Sequence, residues 1–337
     1  MPRTPGHRRI SRRTAMVAAA ALVAPLGADA VSAGAPGRAG ARRDEPAGSA
    51  AAPGAAAGDP TPGTGLVRLW GSQDFRTSPP PATLGAVSAA AVGSLNGIAL
   101  KDGAAIVWGD NNFGQAEVPQ AATSGVGAVA TGWGHLLALK NGQVLAWGND
   151  WYGQTRVPDL ARSGVSAVAA STLHSLALTA GGRVVSWGNR DDVPAAARAG
   201  VSTIAAGGDH SLALKNGGVL AWGGNSVGQA TVPAAAASGV TAIAAGYNHS
   251  LALKNGGVLA WGSNVYKQSI VPAEATSGVV AIAAGWYHNL ALKNDNTLVM
   301  WGSNMSGETN KVKLCGTLLG VFAAERRSGV LTTSLTC

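Results

Sequence analysis

From Gly239 to Gly262 the chain reads GVTAIAAGYNHSLALKNGGVLAWG, with three short apolar runs at Ala242–Ala245, Ser250–Leu253 and Val258–Trp261. Gly246-Tyr247-Asn248 parts the first two, and Lys254-Asn255-Gly256-Gly257 parts the second from the third. An Asn-Gly pair between alternating apolar segments predicts a β-hairpin, because both residues accept the positive φ of a tight turn. The stretch predicts three antiparallel strands and two tight turns.

That unit recurs. Trp-Gly pairs stand at 70, 108, 147, 187, 222, 261 and 301, spaced 38, 39, 40, 35, 39 and 40 residues apart. The short interval comes from a trimmed connection, Asn189–Pro194, in place of a longer GxNxxGQxxVP. A period near 40 in a β-rich sequence predicts a propeller, whose blades bury their faces against one another. The other half-unit, of the type AIAAGxxHSLAL, begins near 87, 126, 165, 201, 240 and 279, and Val321–Leu331 is a seventh, degraded copy. The repeats thus open on a lone third strand, Gly65–Trp70, and close on two strands lacking a third. A ring with no half unit left over needs the first strand to complete the last pair. The expectation is an all-β, seven-bladed β-propeller with a shared closing blade. Three apolar runs per unit predict three strands per blade rather than the usual four, the Val-Pro segment being the alternative fourth.

His135, His174, His210, His249 and His288 hold one position of successive repeats, with Asn96 and Ser328 read as its counterparts in the other two. Blade symmetry spreads them around a ring, so they cannot meet within the ~2 Å ligand distance of one metal ion. They are expected to bond backbone groups beside the Gly turns, with no metal held. The seven tryptophans of the Trp-Gly pairs are expected between blades, each glycine permitting a sharp exit from the sheet.

The other aromatic residues separate by rim. In a three-stranded antiparallel blade, the Gxx turn after the first strand and the loop after Trp-Gly lie at one end. Trp133, Tyr247, Trp286 and Tyr287 fall in the former, and Phe75, Phe113, Trp151, Tyr152 and Tyr266 in the latter. Phe322 alone of the ten lies in a strand. Aromatics gathered on one rim of a rigid scaffold fit a protein-binding surface, since they bring large area at small entropic cost. Loop filler and carbohydrate stacking are the other readings of such a rim.

Catalytic patterns are sparse. No paired carboxylates recur, no Gly-rich loop opens a helix, and no Ser-His-Asp order stands out. Asp74, Asp110, Asp150, Asp191, Asp192 and Asp209 fall on the aromatic rim, where turn formation is the ordinary role of aspartate. No cofactor is expected.

Composition adds the flanks. Arg12-Arg13, the apolar run Ala15–Leu26 and Ala28-Asp29-Ala30 predict a removable, twin-arginine-like export signal over residues 1–35. Residues 36–64 are Ala, Gly and Pro with few large apolar side chains, and predict a disordered linker before a propeller over 65–337. The formal charge of +8 divides unevenly: residues 1–64 carry eight Arg against four acids, leaving 17 Lys+Arg and 13 Asp+Glu for the propeller. The propeller is only +4, without a basic run, which argues against a nucleic-acid partner. No second apolar stretch is long enough to span a membrane. Cys315 and Cys337 are the only cysteines, and in an exported protein they are expected to pair, pinning the last two strands.

The units AGxxHSLALKNGGVLAWGxNxxGQxxVP resemble the regulator of chromosome condensation repeat, over about residues 65 to 337. With short units, AAxSGV connections such as Ala235–Val240 and an export signal, the chain is more specifically similar to the secreted type II β-lactamase inhibitory proteins of actinomycetes. That resemblance implies a seven-bladed propeller that blocks class A β-lactamases by covering the active-site entrance with aromatic loops. Val265-Tyr266-Lys267-Gln268 keeps the family's Tyr-Lys-Gln, Trp286-Tyr287 occupies its aromatic turn, and Phe75 falls near a rim tryptophan of the first blade. Ser94-Leu95, Thr172-Leu173, Gly208-Asp209 and Ser226-Val227 stand where those inhibitors carry aromatics. Phe113, Trp133, Trp151 and Tyr152 are new.

The reading is a secreted, monomeric, non-enzymatic propeller that binds a protein, a β-lactamase or related penicillin-recognising enzyme, through its aromatic rim. The alternatives are a cell-envelope or spore-surface module binding another protein or a glycan, and a metal-dependent lyase or hydrolase working in the channel.

Overall fold

A computed structural model describes residues 64–72, 79–190 and 192–337. The expected signal and the linker up to residue 63, with Asp74, Phe75 and Asp191, lie outside the described residues.

Seven three-stranded antiparallel sheets follow one another as blades. Blade 1 is Ala89–Val92, Asn96–Lys101 and Ala104–Gly109; blade 2 is Val126–Thr131, His135–Lys140 and Gln143–Gly148. Blade 3 is Val165–Ala170, His174–Thr179 and Val184–Gly188; blade 4 is Val201–Ala206, His210–Lys215 and Gly218–Gly223. Blade 5 is Val240–Ala245, His249–Lys254 and Gly257–Gly262; blade 6 is Val279–Ala284, His288–Lys293 and Leu298–Gly302. Blade 7 joins Cys315–Ala324 and Arg327–Ser334 to the first strand of the repeat region, Leu66–Gly71, which pairs with Arg327–Ser334. The shared closing blade follows the hydrophobic pattern, since each lone element supplies what the other lacks.

The hairpin chemistry is as expected. Asn141, Asn216 and Asn255 sit at φ near 50° and the glycines after them near 75°, the two positive φ values of a tight hairpin turn. Each Trp-Gly glycine has φ between 94° and 110°, and a Cβ at Gly71 would stand 2.3 Å from the carbonyl oxygen of Arg326. Side chains are excluded there.

Small residues line the axis because the wedge narrows toward it. Ala170, Ala206, Ala245, Ala284 and Ala323 border the central recess. The core lies between blades: Leu212 and Leu214 of blade 4 pack with Val240, Ile243 and Trp261 of blade 5 in one buried cluster. Burying such side chains is worth about 1.5–3 kcal/mol each, so the ring is held by its inter-blade wedges. The Val-Pro segments form no fourth strand. Pro119, Pro158, Pro194, Pro233 and Pro272 each lead into a 3₁₀ turn whose last alanine is buried, as at Ala234–Ala236.

Cys315 and Cys337 are joined, with Cα atoms 5.2 Å apart, and Cys315 lies opposite Ser334 across the last two strands. Trp70 of the first strand donates to the carbonyl of Glu308, in the loop after blade 6, at 3.0 Å. The returning strand is thereby fastened to the neighbouring blade as well as to its own.

Register corrects one reading. Ser328 lies opposite Trp70, as Ser250 lies opposite Trp261, so it occupies the position after the histidine. Arg327, opposite Gly71, is the histidine counterpart in blade 7. The degraded copy carries one residue fewer before its second strand than the motif spacing assumes.

Candidate functional site

The rim that gathers the aromatics is built from two kinds of loop, each fixed by buried polar groups. The first is the loop after Trp-Gly. Its Gln115, Gln154, Gln229 or Gln268 side chain is buried, and the amide oxygen accepts from the backbone N–H two residues earlier. Those N–H groups belong to Phe113, Tyr152, Val227 and Tyr266, at 2.7–3.0 Å. The glutamine backbone carbonyl meanwhile accepts the indole N–H of the next blade's tryptophan, Trp187 onto Gln154 at 2.8 Å and Trp261 onto Gln229 at 3.0 Å. Each display loop is therefore bolted to the following blade. The repeated Gly-Gln pair in the sequence carried this signal, and the count of aromatic residues passed over it.

The second kind is the Gxx turn, and neighbouring turns are laced around the channel. Trp133 N–H donates to Ser171 O, Tyr247 N–H to Trp286 O, and Trp286 N–H to Glu325 O, at 3.2–3.3 Å.

Two aromatic clusters result. Phe113, from the loop after blade 1, and Trp133 and Trp151, from the turn of blade 2 and the loop after it, stand with centroids 5.0–6.2 Å apart, Phe113 meeting Trp151 edge-on. Tyr247, Tyr266, Trp286 and Tyr287 form the second, with Tyr247–Trp286 at 4.8 Å and Tyr266–Tyr287 at 5.0 Å. Such contacts add about 0.5–1.5 kcal/mol a pair and hold the rings in place. The rings do fill space against one another, yet they are not shielded: Trp151 is 70% exposed and Tyr152 48%, the rest half-buried. Phe322 is buried in its strand.

Apolar residues that are not aromatic extend the face. Val265 and Met305 take Trp151's register three residues before the loop Gln or Glu, and are 79% and 71% exposed. Aligning the loops on that Gln would have revealed them. Between the clusters, Arg190 and Asp209 make a two-bond ion pair, with Nη2 to Oδ2 at 2.7 Å and Nε to Oδ1 at 3.0 Å. Asp110 and Asp150 are likewise consumed by their own loops, Asp150 by Thr155 N–H and Arg156.

The channel mouth offers little room for chemistry. Its recess is about 70 Å³, bordered chiefly by glycine and alanine with Trp133, Tyr247 and Trp286 at the edge. Small-molecule sites are typically about 300–1,000 Å³. Among the described residues no group of three or more His, Cys, Asp or Glu stands close enough to hold a metal ion.

The histidines bond side chains of the next blade, where backbone partners were expected. Nε2 of His135, His174, His210 and His288 meets the hydroxyl of Ser175, Ser211, Ser250 and Ser328 at 2.8–3.0 Å, and that of His249 meets Asn289 Oδ1 at 2.7 Å. The hydroxyls of Ser175, Ser250 and Ser328 in turn donate to the carbonyls of Gln154, Gln229 and Glu308. At those three junctions the serine proton is committed, so His135, His210 and His288 carry their own on Nε2. Burial pushes His135 and His210 down to about 3, and His174, His249 and His288 to about 4. They are neutral fasteners, five rivets between blades 2 and 7.

The regulator of chromosome condensation (RCC1) repeat model matches residues 165–192, 201–229, 240–268 and 279–308. No curated protein sequence matches the chain. Among solved structures, human WBSCR16 is similar with a TM-score of 0.62 and 20% identity, over 80% of this chain and 100% of that one. Prp20p of Saccharomyces cerevisiae, described with its binding to Gsp1p and histones, has a TM-score of 0.64 at 17% identity, over 82% and 94%. The CRINKLY ectodomain of the Arabidopsis thaliana receptor kinase ACR4 has a TM-score of 0.56 at 22% identity, over 72% and 90%. These matches indicate no catalytic family, and at such identities the structures speak for the fold alone. The chain is a seven-bladed β-propeller carrying RCC1-type repeats.

Proposed function

We propose that this propeller is an exported protein-binding module that blocks a class A β-lactamase, or a related penicillin-recognising enzyme, by covering its substrate entrance with the aromatic rim. The observation that carries the reading is the pair of aromatic clusters on one rim, displayed on loops anchored by buried glutamines. A rigid platform loses little conformational freedom on docking, so its aromatic area converts into affinity efficiently. Among the described residues, Asp209 is held in its ion pair with Arg190, and Asp110 and Asp150 are held by their own loops. Blockade is steric, with Trp151, Tyr152, Tyr266, Trp286 and Tyr287 seated around the entrance. The protein-interaction role is the broader part of the proposal, in keeping with an RCC1-type propeller such as Prp20p, described as binding Gsp1p and histones. The choice of enzyme rests on the resemblance of the loop Val265–Gln268 and of Trp286-Tyr287.

The test is a set of binding isotherms and nitrocefin-hydrolysis assays against a panel of class A β-lactamases. Sub-micromolar binding that stops hydrolysis, and is lost in a Trp151→Ala, Trp286→Ala double variant, is the expected result. Absence of binding tighter than micromolar across the panel removes the inhibitor reading.

A further inference from the structure

Five loops that follow Trp-Gly pairs share one turn, and one position in it is left-handed. Glycine fills it in four: Gly114 at φ 74°, Gly153 at 78°, Gly228 at 82° and Gly307 at 81°. In the fifth, Lys267 holds it at φ 63°. Among the described residues, the other non-glycine residues at positive φ are Asp102, Asn141, Asn216, Asn255 and Asn296. Asparagine and aspartate tolerate that region through local side-chain bonds, whereas a lysine crowds its own carbonyl there and gains nothing back. A non-glycine residue kept in such a conformation persists only where its surroundings force it, and such residues concentrate at functional sites.

The surroundings do force it. Lys267 N–H donates to Asn264 O and its carbonyl accepts from Ile270 N–H, both at 3.1 Å. Tyr266 N–H is held by the buried amide of Gln268 at 2.8 Å. The fold makes no use of the side chain in return. It is exposed, and among the described residues its ammonium forms no hydrogen bond or ion pair. It stands between Tyr266, whose ring packs 5.0 Å from Tyr287, and the loop's anchoring glutamine, with Val265 79% exposed alongside.

We infer that Lys267 is a specificity-determining cation of the rim, which reads an aspartate or glutamate side chain of the polypeptide docked on the Tyr247, Tyr266, Trp286 and Tyr287 cluster. The inference rests on the rim being a protein-binding surface. The docked partner excludes water around the rings, which strengthens a charge pair at their edge, and a cation there also steers an acidic segment before contact. The segment that fits has an apolar or aromatic anchor for the rings and a carboxylate within one lysine's reach of it.

The test pans a random displayed-peptide library on the immobilised full chain, then measures the retained peptides against Lys267→Gln, Lys267→Gly and Trp286→Ala variants. Retained peptides are expected to pair an apolar anchor with Asp or Glu. They should bind both Lys267 variants about tenfold more weakly, with a shallower dependence on salt. Lys267→Gly should at the same time raise the Tm by about 2–4 °C, because it relieves the backbone. Peptides that lack an acidic residue, or that depend on Trp286 and not on Lys267, overturn the inference while leaving the rim reading intact. Failure to retain any peptide overturns it too, and the β-lactamase isotherms then judge the rim separately. A Lys267→Gly variant with unchanged or lower Tm removes the strain on which the inference stands.

Discussion

His249 Nε2 donates to Asn289 Oδ1 at 2.7 Å, and Asn289 passes the connection on through its Nδ2–H to the carbonyl of Gln268 at 2.8 Å. At three other junctions a serine hydroxyl makes the same two links. Asn289→Ser should therefore be mild, within about 1 kcal/mol, since serine already serves this position in the other blades. Asn289→Ala strands the buried His249 N–H and the Gln268 carbonyl, and should cost about 2 kcal/mol or more. Urea unfolding midpoints compare the two, and equal losses would deny the bond its part in joining the blades.

The same histidines fix the response to acid. Their folded values lie below the ordinary 6.5, driven by burial, so the unfolded chain binds protons that the folded one refuses. Stability is then complete above about pH 6.5 and falls as the pH drops toward the folded values of 3 to 4. Each histidine removes about 1.4 kcal/mol per pH unit in that window, and five act together. The Tm should decline steeply between pH 6.5 and 5 and stay flat from 7 to 8. A His210→Asn variant should lose stability at pH 7 yet show a shallower acid slope than the parent. Differential scanning calorimetry across that range decides the matter.

The rivets also stop at blade 1. Its histidine counterpart is Asn96, whose amide bonds the carbonyls of Trp108 and Asp110 within its own blade. The receiving position is Gly97 in blade 1 and Leu136 in blade 2, neither with a polar side chain. The junctions on both sides of blade 1 thus lack the bond that joins the other five. Hydrogen exchange should show lower protection in Ala89–Val92 and Asn96–Lys101 than in the matching strands of blades 3 to 6. Gly97 cannot simply be replaced, because a Cβ there would lie 2.1 Å from the Trp108 ring.

Opposite blade 1 across the closure, the disulfide guards the last pair of strands. Replacing Cys337 with serine releases a 22-residue separation and should lower stability by about 3 kcal/mol on the chain-entropy account. The loss should appear first as faster exchange of Leu66–Gly71, because that strand pairs with Arg327–Ser334, the strand next to the disulfide, with the indole of Trp70 as its link to the loop after blade 6. Uniform loosening around the ring would contradict a local role.

Much of this architecture was legible from spacing. Seven Trp-Gly pairs at nearly constant intervals, with Asn-Gly turns, left one closed arrangement, because a strand pattern short of a partner at each end can be satisfied by joining the ends. The rim was legible for the same reason: a residue's offset from the turn tells its end of the blade. Partners across blades were not. His135 and Ser175 lie 40 residues apart, and nothing local to either says that one bonds the other. Ser328 was misplaced by one register step because the degraded repeat has no histidine to mark it. Lys267 is legible only beside the four glycines of the sister loops and the φ that the turn imposes.

The anchoring glutamines and the rings they display can be told apart by experiment. Trp151 is 70% exposed, and its main contacts are the neighbouring rings of Phe113 and Trp133, so Trp151→Ala should change the Tm by no more than a degree or two. Its effect belongs on binding, where an exposed aromatic anchor at an interface is worth about 2 kcal/mol, or ~30-fold in Kd. Gln154 is fully buried and touches no partner, yet its amide holds Tyr152 N–H and donates to Asn149 at 2.7 Å. Gln154→Ala leaves those groups unpaired and frees the loop, which should lower stability by about 1–3 kcal/mol and weaken binding as well, through lost positioning. Gln154→Glu keeps the acceptor for Tyr152 but loses the donor to Asn149, and should fall between. Glu308 shows that a carboxylate can take this seat, accepting from Ser306 N–H at 2.7 Å and from the Ser303 hydroxyl at 2.6 Å. Measured together, Tm and Kd should place Trp151→Ala on the binding axis and Gln154→Ala on both. A Trp151→Ala variant that binds a β-lactamase as tightly as the parent would remove that ring from the docking face.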